Sequence, residues 1–279
     1  MRSFIFNFKF ILFFFLTIFI LNFISNILYI HILNNSEFRL SKILINKEAL
    51  NSKLIFIGNS RSVEFNKNIS DEIFNSSYNG LAYEQIDLLI EKINEKNNNY
   101  TNPIYIEVSS LYDEDLLGCD FIIYLKNSKK NNCKNIVTFS NYFPSYLFSN
   151  EIFLRNIYFY LFKNKDQYWS NNYRINQDLC DSDIELNFIN LEKIEKSIEH
   201  INLLKNKYKN NNFIFFLSPI LKKSTQFSEY EKIYKHNIGE NFKSVGKKLG
   251  ENFFNNCLYF SDRIHLSLEG ARMVYKAIN

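Results

Sequence analysis

Glycine and proline are scarce in this chain, 7 and 3 among 279 residues, and alanine is rare as well. Asn, Lys, Ile and Phe are abundant instead, a skew that reads as the imprint of an AT-rich coding genome. Asn-rich stretches such as "EKNNNY" and "KYKNNN" are therefore read as surface loops. No basic stripe is present: 33 basic against 29 acidic residues leave a charge of only +4. That excludes a dedicated nucleic-acid binder. No GxGxxG and no Walker loop occur; "SVGKKLG" lacks the spacing and the preceding strand of a phosphate loop. There is no CxxC pair and no cluster of metal-ligand residues, so no cofactor and no metal are expected. No internal repeat is visible.

The longest uncharged stretch lies at the N-terminus. From Phe10 to Leu33, "FILFFFLTIFILNFISNILYIHIL" carries no charged residue apart from a titratable His31. About 20 apolar residues suffice for a helix to cross the hydrocarbon core. A signal peptide is the competing reading, but it calls for a shorter apolar region and a small-residue cleavage site. No alanine precedes Ala49, so residues 1–33 are read as an uncleaved anchor, the first expected contact being the membrane itself. Arg2 and Lys9 precede the span while Arg39, Lys42 and Lys47 follow it, so the positive-inside rule gives no orientation. Cys119 and Cys133 lie close enough in sequence to bridge, with Cys180 and Cys257 as a second pair, and the even count suits an oxidising compartment. Four free buried thiols would look the same, and both readings stay open.

Residues 34–52 are polar and read as a juxtamembrane stalk. From Lys53 an alternation begins. "KLIFI" is a short apolar run bounded by Gly58, as in a buried parallel strand. "SYNG" is a second extended piece, and "AYEQIDLLIEKINEK" places Ile86, Leu89, Ile90 and Ile93 on one helical face. "PIYIEVSS" follows as a strand, with Pro103 tolerated at its start. Leu191, Ile194, Ile198, Ile201 and Leu204 then recur at helical spacing before the strand "NFIFFLSP". A helical stretch broken near Gly239, a fifth strand "CLYFSD" and the helix "SLEGARMVYKAI" complete the chain. Alternating strands and helices predict an α/β fold with a mainly parallel, five-stranded sheet. Residues 113–188, rich in Tyr, Phe and Asn, break the pattern and read as an insertion.

In parallel α/β sheets the ligand site lies beyond the carboxyl ends of the strands. Ser60, Asn79, Ser109 and Asp262 all fall there. Asp262 and His265 are three apart in "FSDRIHLSLEG", so a turn brings both to one side. A carboxylate accepts from one imidazole nitrogen and leaves the other free as a base. Such a base needs a nucleophile, and the hydroxyl of Ser60 on another strand end is the best candidate. The plainer alternative is a His265 that only caps or packs locally.

Gly58-Asn59-Ser60-Arg61-Ser62 after a strand, then Asn79-Gly80, then Asp262-x-x-His265-Leu266 with Gly270, resembles the SGNH (GDSL-type) hydrolase superfamily. The resemblance covers residues 53–279. It implies a flavodoxin-like three-layer α/β/α domain, preceded here by one transmembrane helix. It implies Ser60 as nucleophile, His265 as general base and acid, and Asp262 as its orienting carboxylate. It also implies an oxyanion hole built from the backbone amides of Ser60 and Gly80. Two departures stand out. The first block has Asn59 where Asp is usual. The third block normally supplies an Asn side chain to the oxyanion hole, and here the strand end reads "IEVSSLYD". Ser109 or Ser110 is the candidate hydroxyl donor in its place, with Asn79 as the other candidate. The variant resembles membrane-anchored members that serve D-alanyl transfer and polysaccharide O-acetylation in the cell envelope.

Arg61 either holds an anionic substrate or pairs with a nearby acid, and Glu107 reads as one half of a structural pair. His200 and His236 lie on helices and read as solvated. The aromatic insertion, Trp169 included, is either core or a platform for sugar rings. The expectation is a single-pass protein of the cytoplasmic membrane whose soluble domain faces the periplasm or outer surface. It moves an acyl group through a Ser60 ester, as esterase or acyltransferase on envelope polysaccharide. A membrane protein that delivers the acyl group is the implied partner, and no nucleic acid is expected. The competing expectation is a non-catalytic envelope protein that binds glycan or a membrane partner.

Overall fold

The computed structural model describes residues 13–17, 19–20, 45, 47–78, 81–97, 100–112, 190–222 and 224–279. The chain divides into two compact units, one of residues 1–42 and 118–168, the other of 43–117 and 169–279. In the first, residues 13–17 and 19–20 are helical with exposed side chains. Among the described residues no helix is long and apolar enough to cross a membrane. Most of the span expected over residues 10–33 lies outside them, as do the aromatic insertion, Trp169 and His31.

The second unit is built on a four-stranded, all-parallel sheet. Its strands are β1 (Leu54–Ile57), β2 (Ile73–Asn75), β3 (Ile104–Glu107) and β4 (Phe213–Phe216), in the order β2-β1-β3-β4. All of β1 and β3 is buried, as their unbroken apolar runs require when both faces of a parallel sheet are covered. Phe56 stacks on Tyr105 at 4.8 Å and on Phe65 at 4.7 Å, and meets Phe216 edge-on at 5.8 Å. The helix Tyr83–Lys96 (α1) buries Ile86, Leu89, Ile90 and Ile93, and Leu191–Lys207 (α2) buries Ile194, Ile201 and Leu204. The stripe expected on α1 is the one that packs; on α2 Ile194, Ile201 and Leu204 pack, while Leu191 is exposed and Ile198 only half-buried. Full burial of one such side chain contributes roughly 1.5–3 kcal/mol.

Three expectations need correction. The unit begins before Lys53: Ile45 and Ala49 are buried, the latter in a short helix Lys47–Asn51, so part of the expected stalk belongs to the folded body. The second strand is "IFN" rather than "SYNG", although Ser76 and Tyr78 continue the pairing by donating to Phe56 O and Gly58 O. "CLYFSD" is no fifth strand. Cys257–Tyr259 is a 3-10 turn whose Asn256 side chain accepts from Leu258 N, and Phe260 forms only an antiparallel bridge with Leu266. The place beside β4 is taken by a single parallel bridge between Phe215 and Phe242. Cys257 is disulfide-bonded.

Strand order reverses between β1 and β3, the switch point at which doubly wound sheets open a crevice. Ser60 follows β1 and Ser109 follows β3, so both flank that point.

Candidate active site

Gly58 ends β1 where only hydrogen fits. A Cβ there would lie 2.3 Å from Ser62 Oγ and 3.0 Å from Glu107 Cβ. The chain then turns into a 3-10 helix, Ser60–Ser62, capped by Asn59, whose Oδ1 accepts from Arg61 N at 3.0 Å. Asn75 at the end of β2 ties down the far side of the turn. Its Nδ2 donates to Ser62 O and Val63 O at 3.0 and 2.9 Å. Ser60 is thereby held half-buried just beyond the carboxyl end of the central strand β1. Among the described residues its backbone N–H has no hydrogen-bond acceptor.

The second half of the site comes from the loop before the final helix, Leu268–Ile278 (α3). Gly270 near the start of α3 sits against the backbone of Tyr259, where a Cβ would lie 1.9 Å from the carbonyl oxygen. That close approach, the Phe260–Leu266 bridge and the bond from Ser261 N to His265 O (3.0 Å) fold residues 261–265 into a tight turn. Within it, Asp262 Oδ1 accepts from the backbone N–H groups of Ile264 and His265 at 2.8 and 2.9 Å. Oδ2 lies 2.6 Å from His265 Nδ1, and His265 Nε2 lies 2.8 Å from Ser60 Oγ. An ionised carboxylate only accepts, so Nδ1 carries the proton and Nε2 is left to accept from the serine. Burial pushes the Asp262 carboxyl up, but the hydrogen bond and charge of His265, with the two backbone donors, outweigh it and hold the group below its ordinary value.

Behind the serine lies a buried polar network. Glu107, wholly buried, accepts from Ser218 N at 3.1 Å and from Ser109 Oγ, and stands 3.8 Å from the Arg61 guanidinium. Arg61 is itself buried and donates to Ser218 O. Of the two readings of Arg61, the pair with a nearby acid is the one found; its guanidinium is turned away from solvent. Ser110 Oγ donates to the Glu107 carbonyl. A hydroxyl has one proton, so Ser109 and Ser110 have both spent theirs inward. The expected hydroxyl donor to an oxyanion is not supplied by either side chain in this geometry. Asn79 and Gly80, the other expected contributors, lie outside the described residues.

Two further residues differ from or escape the sequence reading. His200 is not solvated: it is buried, stacks on Tyr83 with ring centroids 4.0 Å apart, and its Nδ1 lies 2.7 Å from Leu111 O. His236 is exposed as expected. Ser218, whose backbone links Glu107 to Arg61, escaped attention, although its place at the end of the strand "FIFF" is the signal that finds it. No metal-binding cluster of His, Cys, Asp or Glu occurs among the described residues. No protein-family model, curated protein or solved structure matches the chain.

Proposed function

We propose that this protein is a membrane-anchored serine acyltransferase or esterase of the SGNH type, acting on acyl groups of cell-envelope polysaccharide. One observation carries the reading: Ser60, His265 and Asp262 form a continuous hydrogen-bonded line, 2.8 and 2.6 Å, from segments 205 residues apart. A bare structural role asks for no such alignment. The parallel sheet and its strand order support a flavodoxin-like three-layer domain. The Cys257 disulfide suits an oxidising compartment, and hence an extracytoplasmic domain behind an anchor at residues 10–33.

In this reading Ser60 Oγ attacks an acyl carbonyl while its proton passes to His265 Nε2. Asp262 stabilises the imidazolium that results. Collapse of the tetrahedral intermediate breaks the bond to the leaving alcohol, which takes that proton and departs. Water or a sugar hydroxyl then attacks the Ser60 ester by the same steps in reverse, giving an esterase or a transferase. The buried alternative for the two serine hydroxyls favours a second reading, a non-catalytic envelope protein that binds glycan or a membrane partner.

Intact-mass labelling of the detergent-solubilised full chain by a fluorophosphonate separates them. One adduct on wild type, absent from Ser60→Ala and His265→Ala, supports the enzyme. A well-folded wild type that takes no adduct refutes it and leaves the binding protein.

A further inference from the structure

A tetrahedral intermediate on Ser60 needs N–H donors for its oxygen. The Ser60 amide is free to serve, and the hydroxyls of Ser109 and Ser110 are not. We infer that the side-chain amide of Asn59 is an oxyanion donor, oriented for that purpose by the buried chain Ser109–Glu107. The inference rests on Ser60 being an acylated nucleophile, as proposed above.

The orientation of the amide is fixed by chemistry. Asn59 Oδ1 accepts from the backbone N–H of Arg61, which only an oxygen can do, so Nδ2 occupies the opposite side. There Nδ2 donates one proton to Ser109 Oγ at 3.2 Å. Ser109 Oγ donates its own hydrogen bond to Glu107 Oε2, and Glu107 is held by Ser218 N and Arg61. Every bond in this chain therefore runs in one direction, from the amide toward the buried carboxylate. Hydrogen bonds aligned head to tail polarise one another. The amide has two protons, and among the described residues the second has no acceptor. Asn59 is only half-buried and is covalently next to Ser60, so that second N–H belongs to the rim of the nucleophile's site. A helix cap alone requires an oxygen at this position; a donor requires the amide.

The test uses that difference. Asn59→Asp and Asn59→Ser each keep a capping oxygen for Arg61 N, and each removes the amide donor. In the labelling reaction the Oγ–P bond forms, the P–F bond breaks, His265 takes the proton and fluoride leaves. The developing P–O charge needs the same donors as an acyl oxyanion. Second-order labelling rates are measured on the full-length protein, with thermal unfolding followed by circular dichroism to show each variant folded. We expect both variants to fold and to label about 10²–10³-fold more slowly than wild type, the loss typical of one oxyanion donor. Labelling of either folded variant within threefold of wild type means that Asn59 is a cap only, and overturns the inference while the serine nucleophile stands. A wild type that takes no label at Ser60 overturns both.

Discussion

Replacing Glu107 by alanine is the sharpest test of the network behind the serine. The carboxylate is fully buried, and its removal leaves the Arg61 guanidinium, itself only 5 % exposed, without its anion. Ser218 N and the Ser109 hydroxyl lose their acceptor in the same step. Among the described residues Arg61 Nε already has no hydrogen-bond partner, so little slack remains to absorb the orphaned charge. Breaking a buried pair from one side costs about 3–5 kcal/mol. Against a total stability of about 5–15 kcal/mol for a domain, that is a large share. With a urea dependence of about 2 kcal/mol per M, a loss of about 4 kcal/mol lowers the unfolding midpoint by about 2 M. The assay is urea denaturation followed by far-ultraviolet circular dichroism. The double variant Arg61→Met with Glu107→Leu removes both charges at once and is expected to recover much of the loss, because apolar replacement of a whole buried pair is often neutral. A midpoint shift below about 0.5 M for Glu107→Ala refutes the reasoning, since it means that the buried charge does not depend on this carboxylate.

Asp262→Asn keeps the shape of the turn but offers His265 an amide that can hold the wrong tautomer; ester hydrolysis on p-nitrophenyl acetate is expected to fall by about 10³–10⁴-fold with the fold unchanged. Gly270→Ala places a Cβ 1.9 Å from the Tyr259 carbonyl oxygen, and this backbone contact cannot yield as a flexible side chain would. We expect a loss of at least about 1–3 kcal/mol and slower labelling of Ser60, read by thermal melting and mass spectrometry. Glu231 is buried with its carboxylate accepting from Val245 N and Gly246 N at 2.5 and 3.0 Å, and burial pushes its carboxyl up from 4.5 to about 7 against those donors. The unfolded chain therefore loses this proton first, so between those two values stability falls as pH rises, and above the folded value the loss is complete. Urea denaturation at successive pH values is expected to show this slope in wild type and not in Glu231→Gln; equal slopes refute it.

The repeated strand-then-helix pattern was legible because burial imposes its own period. β1 and β3 read as continuous apolar runs, α1 as a stripe that proved to be the buried one, and α2 as a stripe whose Ile194, Ile201 and Leu204 are buried while Leu191 is exposed. Local chemistry was legible too. Gly58 marked the end of β1, where the structure finds no room for a Cβ, and the Asp262–His265 spacing marked the turn. What one segment does to another was not. "CLYFSD" has the composition of a strand, yet the capped turn at Asn256 and the approach of Gly270 to Tyr259 leave it, among the described residues, only the single Phe260–Leu266 bridge. His200 looks like a solvated helical residue until Tyr83 and Leu111 cover it. The serines after β3 look like free donors until Glu107 claims both protons. By itself the sequence named Ser60, Asp262 and His265 as candidates, because their residue types and strand-end positions are local properties. Only the tertiary structure decided that the serine and the imidazole stand 2.8 Å apart across 205 residues, because that distance is set by how the sheet and the described helices pack, not by any local property of either segment.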